Sequence, residues 1–393
     1  MRIAHVTDCY LPRLGGIEMQ VHDLAVRQRG AGHQVVVITA TPPSMHERGP
    51  MDAAGVRRLK AQMSNPASRA VAAGWSARHV LRADSYDAVH VHCSIMSPLA
   101  TGAAWAATRN GLPTVVTIHS LWTGLGPLPR LADAWMRLRS WPLAWSAVSE
   151  KAAAPIRRML GPDVPVSVLP NGIEPASWSV QPAPRDPRRV VVTSVMRLAP
   201  RKRPLHLLRM LRRVRDQVAD GIDIQAVIIG EGPERANLER YLRRHRMDGW
   251  VSLPGRLERE QIRETFSWSD LYVAPAELES FGIAALEARC AGLPVVANGR
   301  GGVGEFIAHG REGLLAETDA GIVHALSTLI GSADLRSDMF RHNLRVAPVL
   351  NWATTLRLAD GLYDTAADLI AVPGSTPESL QRFTAERPME VSA

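Results

Sequence analysis

The sequence alternates short apolar runs with helical stretches, and this pattern constrains the fold more than any other feature. In the first half, the apolar runs cover residues 3–7, 35–39, 88–92, 114–118, 144–148 and 166–169. Helical stretches at residues 18–30 and 97–110 separate several of them, and Gly32 and Gly111 follow in the position where glycine commonly closes a helix. Such alternation predicts parallel sheets flanked by helices, the α/β class.

A proline-rich stretch at residues 175–187 interrupts the pattern and predicts a linker, since it holds four prolines and no apolar period. The alternation then restarts, with apolar runs at residues 190–195, 226–229, 251–253, 271–274 and 295–297. Because 393 residues are many for a single core, we expect two Rossmann-like domains, at residues 1–175 and 188–350. Residues 372–393 are polar and aperiodic, which predicts a flexible tail.

Composition narrows the class of protein. Apolar residues make up 46% of the chain and charged residues 21%, as in globular proteins rather than disordered ones. The cysteines, Cys9, Cys93 and Cys290, lie far apart, so we expect neither a disulfide framework nor a cysteine zinc site. The chain opens on a strand-like run and contains no long apolar window, so we expect a cytoplasmic protein that is soluble or peripheral to a membrane.

The formal net charge of +8 fits three kinds of partner: nucleic acid, an anionic membrane surface or an anionic small substrate. Arginines are spread along the whole chain, and no helix-turn-helix, zinc-finger or RNA-binding motif accompanies them. The sequence therefore favours phosphate-bearing ligands or a membrane surface over nucleic acid.

Two loops carry features of anion binding. Gly15 and Gly16 precede the first helical stretch, where backbone N–H groups and the helix dipole favour an anion. Arg197, Arg201, Lys202 and Arg203 follow the first strand of the second half, at the edge where parallel sheets bind ligands. An ordinary tight turn and a solvated basic loop are the structural alternatives.

The segment at residues 276–288 carries two carboxylates. Glu279 precedes a helix that we expect to begin near Gly282, and Glu287 lies about one and a half turns inside it. A carboxylate before the helix suits sugar hydroxyls, and one further inside suits the two hydroxyls of a ribose. A capped helix with one exposed glutamate is the structural alternative.

Two further groups have less specific patterns. A glycine-rich turn at residues 299–305 fits backbone approach to a ligand, whereas the turn at residues 230–233 suits a structural role. His90 and His92 share one face of a strand, but no third ligand with suitable spacing is evident, so we expect no metal site. His119 ends a strand at the same edge of the predicted sheet.

In this order, these motifs resemble the retaining glycosyltransferases of the GT-B fold, the family 4 type that includes phosphatidylinositol mannosyltransferases. The resemblance covers nearly the whole chain. It implies two facing Rossmann-like domains with the donor in the cleft between them, and a last helix at residues 352–371 that packs on the first domain. The donor is a UDP- or GDP-sugar, and no metal or other cofactor is needed.

The resemblance also implies roles for individual residues. Catalytic residues are Glu279, His119, Arg197 and Lys202, and the donor is bound by Gly15, Gly16, Arg197, Lys202, Ser280, Phe281, Gly282, Ile283 and Glu287. Within this set, Arg197 and Lys202 neutralise the diphosphate, Glu279 holds the transferred sugar and Glu287 holds the ribose. The chain departs from the family pattern at Met196, Arg203 and Gly304, and Arg203 adds a cation near the diphosphate loop.

Two kinds of acceptor are compatible with the sequence: a small molecule and a lipid-linked molecule. Residues 128–145 mix tryptophans, aliphatics and arginines, which suits either a membrane interface or a core. Alternative functions are a sugar-nucleotide epimerase or glycan phosphorylase of the same fold, and a non-catalytic membrane-docking protein. A nicotinamide dehydrogenase is disfavoured because the opening turn lacks the dinucleotide fingerprint.

Overall fold

The computed structural model describes residues 1–13, 15–43, 55–59, 77–82, 84–95, 97–123, 133–134, 136–181, 188–218 and 221–371. The chain divides into two compact units. Unit 1 comprises Met1–Gly172 and Ala353–Ala393, and unit 2 comprises Ile173–Trp352. Each unit is built on its own parallel sheet.

Unit 1 contains a seven-stranded sheet in which every strand pair is parallel. Its strands are β1 (Arg2–Thr7), β2 (Gln34–Thr39), β3 (Val56–Arg58), β4 (Ala88–Cys93), β5 (Thr114–Ile118), β6 (Ala144–Ala147) and β7 (Val166–Val168), in the order β3-β2-β1-β4-β5-β6-β7. Helices α1 (Gly16–Gly30), α2 (Pro98–Arg109) and α3 (Glu150–Leu160) connect them. The central strands β4 and β5 are buried along their whole length because both of their faces are covered.

Unit 2 contains a six-stranded parallel sheet in the order β10-β9-β8-β11-β12-β13. Its strands are β8 (Arg189–Val195), β9 (Asp223–Ile229), β10 (Val251–Gly255), β11 (Leu271–Ala274), β12 (Val295–Asn298) and β13 (Gly313–Ala316). Its helices are α4 (Pro175–Trp178), α5 (Pro204–Gln217), α6 (Arg235–Arg244), α7 (Arg259–Ser267), α8 (Ile283–Cys290), α9 (Asp319–Gly331) and α10 (Ala333–Arg345). Both sheets have the strand order of doubly wound nucleotide-binding folds, which confirms the predicted α/β class.

The final helix, α11 (Trp352–Ala371), belongs to unit 1 from Ala353 onward. Ala359, Leu362, Tyr363 and Ala366 are buried in one core cluster with residues of β1, β4, β5 and β6. The C-terminal segment therefore completes a layer on the sheet formed by the start of the chain.

Several features differ from the sequence expectations. The short strands β3 and β13 were not predicted, since neither carries a long apolar run. The segment predicted as a linker begins with helix α4, whose Trp178 is buried against Phe266, with ring centroids 6.1 Å apart. Residues 182–187 lie outside the described part of the chain.

The segment at residues 128–145 is only partly described, and its residues 128–132 and 135 lie outside that part. Within it, Leu138, Leu143 and Trp145 are buried, which favours the core interpretation for these positions. Among the described helices, none combines the length and the apolar character needed to cross a bilayer.

Candidate functional site

The basic loop after β8 is held by its backbone to the turn after β9. Met196 N–H donates to Ile229 O at 3.0 Å, and Leu198 N–H donates to Glu231 O at 2.9 Å. A Cβ on Gly230 would lie 1.9 Å from Met196 O, so only glycine permits this approach. The turn at residues 230–233 thus has the structural role predicted for it: it fixes the path of the loop that carries Arg197.

Lys202 and Glu279 form an ion pair at the carboxyl edge of the sheet. Lys202 Nζ lies 2.5 Å from Glu279 Oε2, and the two side chains are 22% and 17% exposed. The strands that precede them, β8 and β11, are neighbours in the sheet. Arg197 is exposed, and no carboxylate in the described residues forms an ion pair with it.

Arg203 is engaged by two carboxylates rather than adding the cation that the sequence suggested. Its guanidinium lies 2.8 Å from Asp319 Oδ1 and 3.0 Å from Glu277 Oε1, and it donates to Pro275 O at 3.3 Å. The residue has a left-handed backbone, with φ of 59°, and is the N-cap of α5. Arg203 therefore ties the basic loop to the start of α9.

The loop from Ser280 to Ile283 leads into α8 through Gly282, whose φ is 95°. A Cβ on Gly282 would lie 2.4 Å from Val303 Cγ2, so glycine is required both for its backbone angle and for space. Phe281 is buried and packs on Phe306, with ring centroids 5.6 Å apart. The helix begins at Ile283, next to the position predicted for it.

The glycine-rich turn at residues 299–305 approaches protein backbone, whereas the sequence suggested approach to a ligand. Gly302 N–H donates to Glu279 O at 2.8 Å. A Cβ on Gly301 would lie 2.8 Å from Glu279 O, and one on Gly302 would lie 2.3 Å from Ser280 O. The turn therefore supports the loop that carries Glu279.

Glu287 lies in α8 and is half-buried. Burial raises the pKa of the nearby Tyr272 phenol above its usual value, and the carboxylates of Glu287 and Glu279 raise it further. Tyr272 O–H donates to Val195 O at 3.1 Å. Sequence reasoning missed this buried hydroxyl, because a tyrosine inside an apolar strand gives no signal of its neighbours.

In unit 1, the loop before α1 holds an internal carboxylate. Gly15 is the N-cap of α1 and has extended backbone, and Gly16 is exposed. Glu18 is buried in the first turn, and Arg13 Nε lies 3.1 Å from its Oε1. A Cβ on Gly15 would lie 2.4 Å from Glu18 Oε2, so the glycine makes room for this carboxylate.

His119 follows β5 and is 8% exposed. Its backbone N–H donates to Cys93 O at 2.8 Å, and its Nε2 lies 3.0 Å from His92 Nδ1. Burial lowers the pKa of His119 from 6.5 to about 4, so the ring is neutral at neutral pH.

His92 belongs to a larger buried group. His5 Nδ1 lies 2.9 Å from His92 Nε2, and His5 Nε2 lies 2.6 Å from Gln28 Oε1. His90 contacts Tyr363 OH through Nδ1 at 2.9 Å. Burial lowers the pKa of His5 to about 4 and those of His90 and His92 well below the usual value.

His5 is the third histidine that the sequence did not reveal, since only the register of β1 with β4 places it opposite His90. One ring nitrogen from each of His5, His90 and His92 lies close enough to the others for one metal ion. Every ring nitrogen of these three residues already has a hydrogen-bond partner. A metal would have to displace those bonds, so the geometry favours a hydrogen-bonded network.

Two family descriptions match successive parts of the chain. Residues 14–177 match Glycosyltransferase Family 4, and residues 179–343 match Glycosyl transferases group 1. The first match lies almost wholly in unit 1 and the second in unit 2.

Individual proteins are also similar to this chain, both in sequence and in structure. The GPI3 subunit of phosphatidylinositol N-acetylglucosaminyltransferase from Saccharomyces cerevisiae is 26% identical, covering 78% of this chain and 69% of that protein. A GDP-mannose-dependent alpha-mannosyltransferase from Mycolicibacterium smegmatis is 27% identical, covering 81% and 85%. The structure of Anabaena HepE in complex with UDP and glucose superimposes with a TM-score of 0.72 at 18% identity, covering 92% and 99%.

The close contact between Gly302 and Ser280 predicts that replacing Gly302 destabilises the folded protein. Gly302→Ala should lower the free energy of unfolding by about 1–3 kcal/mol, because the new Cβ overlaps Ser280 O. Gly299→Ala is the matched control in the same turn, since its Cβ would meet only the Leu315 side chain, at an ordinary contact distance of 3.5 Å. Chemical denaturation of both variants measures the difference, and equal stabilities would contradict the contact.

The buried histidines predict that unit 1 loses stability in mild acid. Their folded pKa values lie below the unfolded value of 6.5, so the unfolded chain binds more protons as the pH falls below that value. At a pH of about 5.5, His5 and His119 should each reduce the free energy of unfolding by about 1.4 kcal/mol.

Scanning calorimetry between pH 7 and pH 5.5 measures this loss. His119→Gln should flatten the pH dependence, whereas His324→Gln, at an exposed position in unit 2, should leave it unchanged. A Tm that does not vary with pH over this range would refute the prediction.

Proposed function

The chain belongs to the GT-B-fold glycosyltransferases of the family 4 type, and from this premise we propose a retaining hexosyl transfer. The donor is a UDP- or GDP-sugar, and the acceptor is a hydroxyl of a small molecule or a lipid-linked molecule. Both nucleotides stay in the proposal because one relative uses GDP-mannose and one similar structure binds UDP. The observation that carries the proposal is the Lys202–Glu279 pair at the carboxyl edge of β8 and β11.

Lys202 and Arg197 bind the donor diphosphate. The guanidinium of Arg197 offers paired N–H donors to phosphate oxygens, and the ammonium of Lys202 acts as a point charge. The leaving group is a nucleoside diphosphate, so negative charge grows on it as the glycosidic bond breaks. Fixed cations stabilise this charge and lower the barrier. The backbone N–H of Gly16, with Gly15 before it, contributes in the same way.

Glu279 accepts hydrogen bonds from hydroxyls of the transferred sugar. Lys202 pairs with this carboxylate in the structure, and donor binding gives Lys202 a phosphate partner instead. The loop of Ser280, Phe281, Gly282 and Ile283 adds backbone contacts to the donor. Gly301 and Gly302 pack closely against the backbone at the start of this loop. Glu287 accepts the two hydroxyls of the ribose.

The transfer step proceeds by attack on the same face of the sugar from which the diphosphate leaves. The bond from the anomeric carbon to the phosphate oxygen breaks, the acceptor oxygen forms the new bond, and its proton passes to the leaving phosphate. The anomeric configuration is thereby retained. None of these steps calls for a metal ion, because Arg197 and Lys202 supply the positive charge.

The acceptor is a hydroxyl compound bound mainly by unit 1, where we propose that His119 faces the reacting sugar. The net charge of +8 supports a phosphate-bearing acceptor or contact with an anionic membrane surface. We further propose a cytoplasmic protein, and the positive charge supports peripheral contact with the inner face of the membrane.

Release of free nucleoside diphosphate from a panel of UDP- and GDP-sugars tests the proposal. One donor should be hydrolysed slowly without an acceptor, and Lys202→Ala and Glu279→Ala should each lower the rate by about 100-fold or more. Arg201→Ala is the matched control, since it removes an exposed cation from the same loop.

Three outcomes would contradict the proposal. The first is an epimerised donor in place of free nucleotide. The second is equal activity of the Lys202, Glu279 and Arg201 variants. The third is an absence of donor binding in a thermal-shift assay with the same panel. Binding without hydrolysis would show that turnover needs the acceptor, and the transfer product would then be sought with acceptor present.

A further inference from the structure

A continuous chain of buried hydrogen bonds runs through unit 1 on the sheet face that α1 and α11 cover. It joins the side chains of Ser146, Thr117, His90, Tyr363, Gln28, His5, His92 and His119 in that order. All of these residues are less than 9% exposed, and His5 and His90 are completely buried. At its far end, Ser146 Oγ–H donates to the backbone carbonyl of Val116 at 3.2 Å.

The carbonyl end determines the direction of the whole chain, because a carbonyl oxygen only accepts. Ser146 uses its one hydrogen on Val116 O, so at Oγ it must accept from Thr117, 2.7 Å away. Thr117 then accepts from His90 Nε2–H at 2.7 Å. A neutral imidazole has one N–H, so His90 Nδ1 accepts from Tyr363 O–H at 2.9 Å.

The same rule carries the direction to the other end. Tyr363 OH accepts from Gln28 Nε2 at 2.8 Å, which places Gln28 Oε1 toward His5 as an acceptor. His5 therefore carries its hydrogen on Nε2 and accepts at Nδ1 from His92 Nε2–H. His92 Nδ1 in turn accepts from His119 Nε2–H. Only this arrangement satisfies every bond in the chain.

We infer that this chain fixes the tautomer of His119, with the hydrogen on Nε2 and the acceptor lone pair on Nδ1. Gln28, Tyr363, His90, Thr117 and Ser146 are thus positioning residues for His119, a role that the sequence suggested for none of them. The low pKa values of the four histidines agree with neutral rings that each donate once and accept once.

The consequence for transfer rests on the proposed function. The nitrogen Nδ1 of His119 then accepts a hydrogen bond from its surroundings and does not donate one. A ring that is neutral with a committed N–H does not serve as the proton donor to the leaving group.

NMR of the full-length protein labelled with ¹⁵N-histidine tests the tautomer directly. The two ring nitrogens of a neutral imidazole differ in ¹⁵N shift according to which one carries the hydrogen. His119→Gln assigns the His119 signals by their loss. We expect a protonated Nε2 and an unprotonated Nδ1, and a protonated Nδ1 in the wild type would overturn the inference.

Tyr363→Phe tests the role of the chain. It removes one oxygen, so His90 loses its donor, and the Gln28 amide is free to rotate and reverse the bonds on the His5 side. The His119 nitrogens should then shift toward averaged values of the two tautomers. Tyr10→Phe is the matched control, since Tyr10 is equally buried in the same core cluster and bonds to His22, outside the chain.

A Tyr363→Phe spectrum that matches the wild type would overturn the role of the chain. If that variant does not fold, the wild-type spectrum still decides the tautomer.

Donor turnover separates this inference from the proposed function. A fixed Nε2–H tautomer in a protein that neither binds nor turns over any donor leaves the inference standing and counts against the proposed function. A lower kcat for Tyr363→Phe than for Tyr10→Phe supports both.

Discussion

Parallel strand pairing is the constraint on which both units depend. In a parallel sheet all strands end at one edge, so residues that follow different strands are brought together there whatever their separation in sequence. Lys202 and Glu279 follow β8 and β11 and meet in an ion pair, although 77 positions separate them. In unit 1, His119 follows β5 and contacts His92 near the end of β4. The candidate residues of each unit therefore lie close together because of the way in which the strands are paired.

Close contacts between backbone segments fix the loops at the carboxyl edge of the unit 2 sheet. Gly230 lies against the carbonyl of Met196, and Gly302 lies against the carbonyl of Ser280. No side chain larger than hydrogen fits at either place. The glycines of unit 2 therefore act as supports that fix the paths of the two charged loops.

The sequence predicts the strands well where they are buried and apolar. The run at residues 271–274 became β11 with the same bounds, and the helix expected near Gly282 begins at Ile283. Edge strands such as β3 escaped prediction because three residues carry little pattern. The polar chain of unit 1 escaped for another reason: His5 and His90 become neighbours only through register, and Tyr363 reaches them from the other end of the sequence. Periodicity within one segment contains none of this information.

A structure determined with a nucleotide-sugar bound tests the central claim, that the carboxyl edge of β8 and β11 holds the donor. We expect the diphosphate within hydrogen-bond distance of Arg197 and Lys202. We also expect sugar hydroxyls on Glu279, with the Lys202–Glu279 ion pair replaced by these contacts. A donor bound elsewhere, with that ion pair intact, would contradict it.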